Sequence, residues 1–338
     1  MADPKAPTSK SAERESEVFS AYVFFNEALD FTMAEVLDAY EEDYPGLPRF
    51  KDVIPPQHAH LSTAETATVV LLADHPAVPS VHLFWAANNR DWNMDGLQER
   101  SGRLFPEAAE AVRTNQGYIS ISAGGEPGLA TRFIAARIVT CLAAVFAGLP
   151  VATAIYWSTG GLICSPQHWI SAAKDAAEDK IPTFQWVAFD RTSLPATSDL
   201  PAQVSVESYG MAPFNGHEVC FTYAPQSLRT VGGHTASMVW MLLQAGHQFG
   251  DGDTVGLEGS DVKHRIRLAP EGPLAAVNTW VVLHPASPVD EMEIFGERQG
   301  RPPPPEDVDK YTHRGDARYL GHLVRAAMAT PTAGQRLS

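Results

Sequence analysis

One apolar stretch near the middle of the chain limits the fold more than any other feature. It runs from about Ile134 to Ala147, and Gly148 and Pro150 end the helix that its spacing predicts. The stretch is too short to cross a bilayer. We therefore expect a core helix with one wide apolar face, which carries Phe133, Ile134, Ile138, Leu142, Val145 and Phe146.

Short runs of β-branched and aromatic residues, separated by Gly, Pro, Asn and Asp, lie on both sides of this helix. Such runs predict strands that pair mainly through hairpins. The predicted strands are Val18–Phe25, Thr68–Ala73, Ser80–Ala86, Gly117–Ala123, Val151–Trp157, Leu162–Cys164, Thr183–Phe189, Gln203–Tyr209, Glu218–Tyr223, Thr254–Leu257, His264–Leu268 and Thr279–Leu283.

Further helices are predicted from their caps and apolar spacing: one after Thr32, one over Pro106–Thr114, one after Ser165-Pro166 and one over about Thr235–Gln248. Pro48–Ser62 is predicted to be a loop because of its prolines. These elements indicate an α+β fold with antiparallel or mixed sheets and helices packed on one side.

The ends of the chain differ in composition from its core. Residues 1–17 are polar and charged, and they predict a disordered tail without the apolar segment of a signal peptide. The predicted α+β core covers residues 18–286, for which two similar lobes, 18–180 and 181–286, are an alternative description. Residues 287–338 contain four consecutive prolines and a basic, apolar helix near Tyr319–Ala329, so we expect an appendage there.

Charge and cysteine content limit the partners and the compartment. The chain of 338 residues has a formal net charge of −15, which disfavours nucleic acid and anionic membranes and favours a basic partner. Its three cysteines, Cys141, Cys164 and Cys220, are far apart and lie in apolar runs without a CxxC pair. We therefore expect buried free thiols and a cytoplasmic protein.

The segment FGDGDTVGLE, residues 249–258, resembles a metal or phosphate loop at first sight. A calcium loop needs oxygen ligands at regular alternate positions, but Val255 and Leu257 occupy the later ones. A phosphate loop would precede a helix and include a lysine. The sequence therefore predicts a turn in which Gly250 ends a helix in a left-handed cap and Asp251 and Asp253 bind local amides.

Other polar constellations are weak as catalytic or metal sites. His58 and His60 have ligand-like spacing but lie in a proline-rich loop without a fixed third ligand. Glu207 and His217 flank a turn, where they are either an acid–base pair or polar residues of an edge strand. The chain has no GxSxG elbow. We expect no bound metal, no cofactor and no catalytic residue that the sequence identifies.

The order of several short motifs resembles a bacterial domain-of-unknown-function family, number 4261. The motifs are LFPEA, GYISIS, the long apolar helix, AIYW, ESYGM, DGDTVG, HRIRL and WVVLHP, spread over about residues 18–285. The family has no established catalytic residues that the resemblance could assign to this chain. The resemblance implies an immunity or accessory role, because members of that family are often encoded near toxin or type VI secretion genes.

Two classes of function remain. The first is a non-enzymatic protein-binding factor, whose candidate contact residues are aromatic and polar side chains beside glycine turns: Tyr156, Trp157, Glu207, Tyr209 and His217. For Trp157, burial in the core is an equal alternative. The second class is a hydrolase whose carboxylates and histidines come from distant positions. The missing catalytic motif favours the binding protein.

Overall fold

The structure is a computed structural model that describes residues 18–29, 31–54, 66–86, 101, 105–124, 128–194, 203–224, 227–246, 248–256, 262–269 and 279–283. The predicted tails, His58 and His60 lie outside these ranges. The strands are β1 (Val18–Phe25), β2 (Phe50–Ile54), β3 (Thr66–Ala73), β4 (Ser80–Ala86), β5 (Gly117–Gly124), β6 (Ala152–Trp157), β7 (Leu162–Cys164), β8 (Ala188–Leu194), β9 (Gln203–Tyr209), β10 (Glu218–Ala224), β11 (Thr254–Gly256), β12 (Lys263–Ala269) and β13 (Thr279–Leu283). The helices are α1 (Met33–Asp43), α2 (Ala108–Arg113), α3 (Leu129–Ala147), α4 (Pro166–Ala177), α5 (Thr183–Trp186), α6 (Ala212–Asn215) and α7 (Leu228–Ala245).

The strands form two sheets, and the predicted α+β class is confirmed. Sheet 1 has the order β2-β3-β4-β5-β1-β6-β7 and is antiparallel throughout. Sheet 2 has the order β11-β12-β13-β10-β9-β8, and its pairs are antiparallel except for β10 with β13. Every strand of sheet 1 precedes residue 165, and every strand of sheet 2 follows residue 187.

Helix α3 supports sheet 1 as the sequence predicts. It packs against β1, β5 and β6, and α1 and α4 pack against it. By length and composition α3 could cross a membrane, but eleven of its nineteen residues are buried in the fold. Helix α7 packs on β9 and β10 of sheet 2. The small helix α2 is an exception to the one-sided arrangement, because it packs on the opposite face of sheet 1.

A single hydrophobic cluster joins the two sheets. It extends from β1 residues such as Phe19 through α3 to sheet 2 residues such as Val219 and Val282. Three tryptophans lie where the sheets meet: the rings of Trp157 and Trp186 are 6.2 Å apart, and those of Trp157 and Trp169 are 5.7 Å apart. Burial of so much aromatic surface is a large stabilising contribution.

Hydrogen bonds fix these tryptophans. The indole N–H of Trp157 donates to the carbonyl of Trp186 at 3.1 Å, and the indole of Trp186 donates to Thr140 Oγ1 at 2.9 Å. Trp169 donates to the carbonyl of Thr140 at 3.1 Å. Thr140 of α3 therefore binds the indoles of Trp169 in α4 and Trp186 in α5, so two of the three rings are oriented by one residue of one helix.

Two glycines allow the backbones of the two sheets to approach closely at this point. Gly160 lies in the β6–β7 turn, and Gly210 follows β9 with a φ of +104°. A Cβ on Gly160 would collide with the Trp186 carbonyl oxygen, and one on Gly210 would lie 2.6 Å from Gly160 Cα. No side chain fits at either position.

Three local predictions were wrong. Phe50–Ile54, expected in a loop, forms β2, an edge strand whose Lys51 and Asp52 face solvent. Thr183–Phe189 is not one strand, because Thr183 and Trp186 are buried at helical spacing in α5 before β8 begins. Helix α7 covers Leu228–Ala245 and is capped by Gly246, with a φ of +61°, so it begins before the predicted Thr235 and does not reach Gly250.

The glycine contact gives a direct stability test. We expect Gly210→Ala to lower the free energy of unfolding by at least about 2 kcal/mol more than Gly216→Ala, as overpacking adds to backbone strain. Gly216 is the matched control, since its φ is +89° but an added Cβ would have nothing within 4 Å. Urea unfolding of both variants measures the difference. Equal losses would show that the close contact contributes nothing.

Candidate partner-binding site

The structure places the five predicted contact residues in different surroundings. Trp157 is completely buried in the shared core, so it is a core residue and offers no surface to a partner. Strand alternation puts Tyr156 on the opposite face of sheet 1. Tyr156 is half-buried there beside Tyr22, with ring centres 5.7 Å apart.

Glu207 and His217 do not form an acid–base pair. The register of β9 and β10 places Glu207 opposite Cys220, three residues beyond His217. The His217 ring stacks on Trp280, with ring centres 4.2 Å apart. Trp280 and Val219 belong to the face of sheet 2 that packs into the core, so His217 lies on that side. Glu207 is exposed on the other face and in a central strand, so its predicted edge position was also wrong.

Glu207 and Tyr209 share the outer face of sheet 2. They are two residues apart on β9, and the Tyr209 side chain is 44% exposed. Asp190 of β8 is the direct cross-strand neighbour of Glu207, so it lies on the same face. We call Asp190, Glu207 and Tyr209 the Tyr209 patch. Its two carboxylates beside an aromatic ring are suited to a cationic side chain.

A buried carboxylate fixes the backbone on both sides of Tyr209. Glu218 Oε2 accepts hydrogen bonds from Ser208 Oγ at 2.5 Å and from the Met211 amide at 3.2 Å. Its Oε1 accepts from the amides of Gly210 at 2.8 Å and Ala212 at 2.9 Å. Glu218 therefore holds the end of β9 and the start of α6, and Tyr209 is carried on a fixed segment.

The electrostatics of Glu218 reflect two opposed effects. Burial raises the pKa of this carboxyl, and the hydrogen bonds from Ala212, Ser208, Gly210 and Met211 lower it, with burial the larger effect. Both oxygens are already hydrogen-bonded, so the group acts on the shape of the chain. The Ser208 hydroxyl also accepts from the Val219 amide at 2.8 Å, which extends the network into β10.

Sequence reasoning missed Glu218 and Asp190. A signal for Glu218 was present: a single acidic residue begins the otherwise apolar β10, eight residues after Gly210. An acidic residue at the buried start of a strand requires donors, and a nearby glycine turn provides backbone amides. Asp190 could not be found, because its relation to Glu207 depends on the pairing of β8 with β9.

Residues 249–253 form a turn that leads into β11. Asp253 Oδ2 accepts from the Gly250 amide at 2.7 Å, which is a local contact of the predicted kind. Asp251 makes longer-range contacts: its Oδ1 accepts from the Leu268 amide at 2.8 Å and from Arg267 Nε at 3.1 Å. Asp251 therefore attaches the turn to β12. Gly252, with a φ of +92°, supplies the conformation that the turn requires.

The described residues contain little that resembles a metal or thiol site. Among them, no group of three or more His, Cys, Asp or Glu side chains is placed to hold a metal ion. Cys141 and Cys164 are buried free thiols, and burial raises the pKa of each to about 12. A thiol with so high a pKa is a poor nucleophile near neutral pH. Cys220 is half-buried.

Comparison with protein-family models, curated proteins and solved structures finds no match for this chain.

The raised pKa of Glu218 makes a signed prediction about pH. A carboxyl whose pKa is higher in the folded state contributes stability that is fully present below its unfolded pKa, ordinarily about 4.3, and that is lost as the pH rises through the folded pKa. We therefore expect the stability advantage of the wild type over Glu218→Gln to shrink as the pH rises from about 4 towards 7.

Urea unfolding of both proteins across this range measures that advantage, and the variant controls for every other titrating group. An advantage that grows with pH would show that the four hydrogen bonds outweigh burial and that the folded pKa is depressed.

Proposed function

We propose that this protein is a non-enzymatic protein-binding factor that contacts a basic partner through the Tyr209 patch. We further propose that it is an immunity or accessory protein of a bacterial toxin or type VI secretion system. The single observation that carries the binding proposal is an exposed tyrosine on a backbone that a buried carboxylate fixes on both sides. The resemblance of the motifs to family 4261 supports the biological setting.

The fixed backbone favours binding because it lowers the entropy lost on association. Tyrosine supplies a large contact area with few rotatable bonds and is enriched among residues that dominate binding energy. Ser208 and Gly210, on either side of Tyr209, are both hydrogen-bonded to Glu218. A contact residue that is already held in place makes binding tighter than a mobile one does.

The charge of the protein selects the kind of partner. The net charge of −15 attracts basic proteins over long range, and salt weakens that attraction. At short range, Asp190 and Glu207 lie directly opposite one another, so two carboxylates are close together beside Tyr209. A lysine or arginine of the partner could contact these carboxylates and lie over the Tyr209 ring.

The proposal is tested with the products of neighbouring genes, by co-purification at low salt. If one binds, we expect Tyr209→Ala to weaken its affinity about tenfold or more, the scale of a dominant contact residue. Glu207→Gln should mainly slow association and reduce the salt dependence. Calorimetry and surface plasmon resonance give the two readouts.

Ile54→Ala is the matched control, because Ile54 is also a large exposed apolar residue but lies on the β2 edge of sheet 1. It should leave affinity unchanged. The proposal fails if no neighbour binds at low salt and the protein turns over a small substrate. The hydrolase alternative would then take its place. Equal losses for the two alanine variants would refute the Tyr209 patch specifically.

A further inference from the structure

We propose that the groove between α1, α3 and α4 binds the chain's own basic C-terminal segment, Tyr319–Ala329. The groove has a volume of about 610 Å³, within the usual range for ligand sites. Its walls are apolar and include Phe31 and Val36 on one side and Ile170 on the other. This site is separate from the Tyr209 patch, so the inference does not depend on the proposed function.

Helix α1, which forms one wall of the groove, is an acidic helix. Helix α1 carries Glu35, Asp38, Glu41, Glu42 and Asp43 and no basic residue. Three of these carboxylates lie at the C-terminal end of the helix, where the helix dipole disfavours negative charge. Of these carboxylates, Glu35 and Asp43 line the groove itself. The arrangement costs α1 stability and attracts a cation from outside the helix.

The end of α3 adds to this negative character. Its last turn contributes Val145, Phe146 and Gly148 to the groove and contains no basic residue. The carbonyls of that turn form the negative end of the α3 dipole. Lys174 of α4 is the only positive side chain that lines the groove among the described residues. The groove is therefore an apolar surface with a mainly negative rim.

The C-terminal segment and the residues just before it have the complementary pattern. Residues 310–325 contain four basic side chains and one acidic one, a net charge of +3, in a chain whose total is −15. Five apolar residues form one stripe at helical spacing: Leu320, Leu323, Val324, Ala327 and Met328. Arg318 and Arg325 flank the first three of them. An amphipathic helix of this kind docks its stripe into an apolar groove.

The chain can reach the groove. Residues 284–318, 35 in number, connect β13 to the segment. Fully extended, they would span roughly 115–125 Å, which exceeds the size of a domain of this length. Attachment to the same chain also raises the effective concentration of the segment to about the millimolar range. Weak apolar and ionic contacts are then sufficient for docking.

Hydrogen–deuterium exchange of the full chain tests the proposal. In the wild type we expect amides of residues 316–331 to exchange about tenfold or more slowly than those of an unstructured peptide. Leu323→Asp removes the centre of the apolar stripe and should abolish this protection. Ala329→Asp, on the opposite helix face, is its control and should preserve protection within about twofold.

A second pair of variants tests the groove. Asp43→Lys should reduce the protection, whereas Asp38→Lys, on the same helix but away from the groove, should not. Loss of fold does not explain such a result, because lysine near the end of α1 suits the helix dipole. The proposal is wrong if residues 316–331 exchange at the unstructured rate, or if the two variants of either pair give the same protection. It is also wrong if protection rises with protein concentration. The last result would assign the docked segment to a second copy.

Discussion

The close approach of two backbones at Gly160 and Gly210 determines how the two sheets pack together. At this point the β6–β7 turn of sheet 1 meets the end of β9 in sheet 2, and the Trp186 carbonyl lies beside both glycines. That carbonyl also accepts the indole hydrogen bond of Trp157. The contact therefore aligns the aromatic rings that fill the junction, and the two sheets share one core instead of two.

The same close approach explains why a carboxylate is buried at Glu218. Gly210 can remain against Gly160 only if its backbone is held, and Glu218 binds the amides of Gly210, Met211 and Ala212. Removing a carboxylate from water is unfavourable unless hydrogen bonds replace the water. The exposed position of Tyr209 follows from this arrangement, because its neighbours on both sides are turned inwards. In this account the proposed binding residue is a consequence of the junction.

Much of the fold follows from local sequence, and the site does not. The Thr32 capping box and the Ser165 cap mark the starts of α1 and α4, since both depend on residues within one turn. The early start of α7 at Leu228 was missed because Gly232 and Gly233 disfavour a helix, while burial of Val231 and Gly232 against sheet 2 outweighs that preference. Tyr156 and Trp157 could not be assigned to faces from sequence, as alternation gives their opposition but not which side is covered.

Native-state hydrogen exchange at increasing denaturant tests whether the junction makes the two sheets one cooperative unit. We expect the slowest amides of β1 and β5 in sheet 1 and of β9 and β10 in sheet 2 to report the same free energy of opening. They should also show the same dependence on denaturant. The account is contradicted if the amides of β9 and β10 exchange through an opening of lower free energy while those of β1 and β5 remain protected.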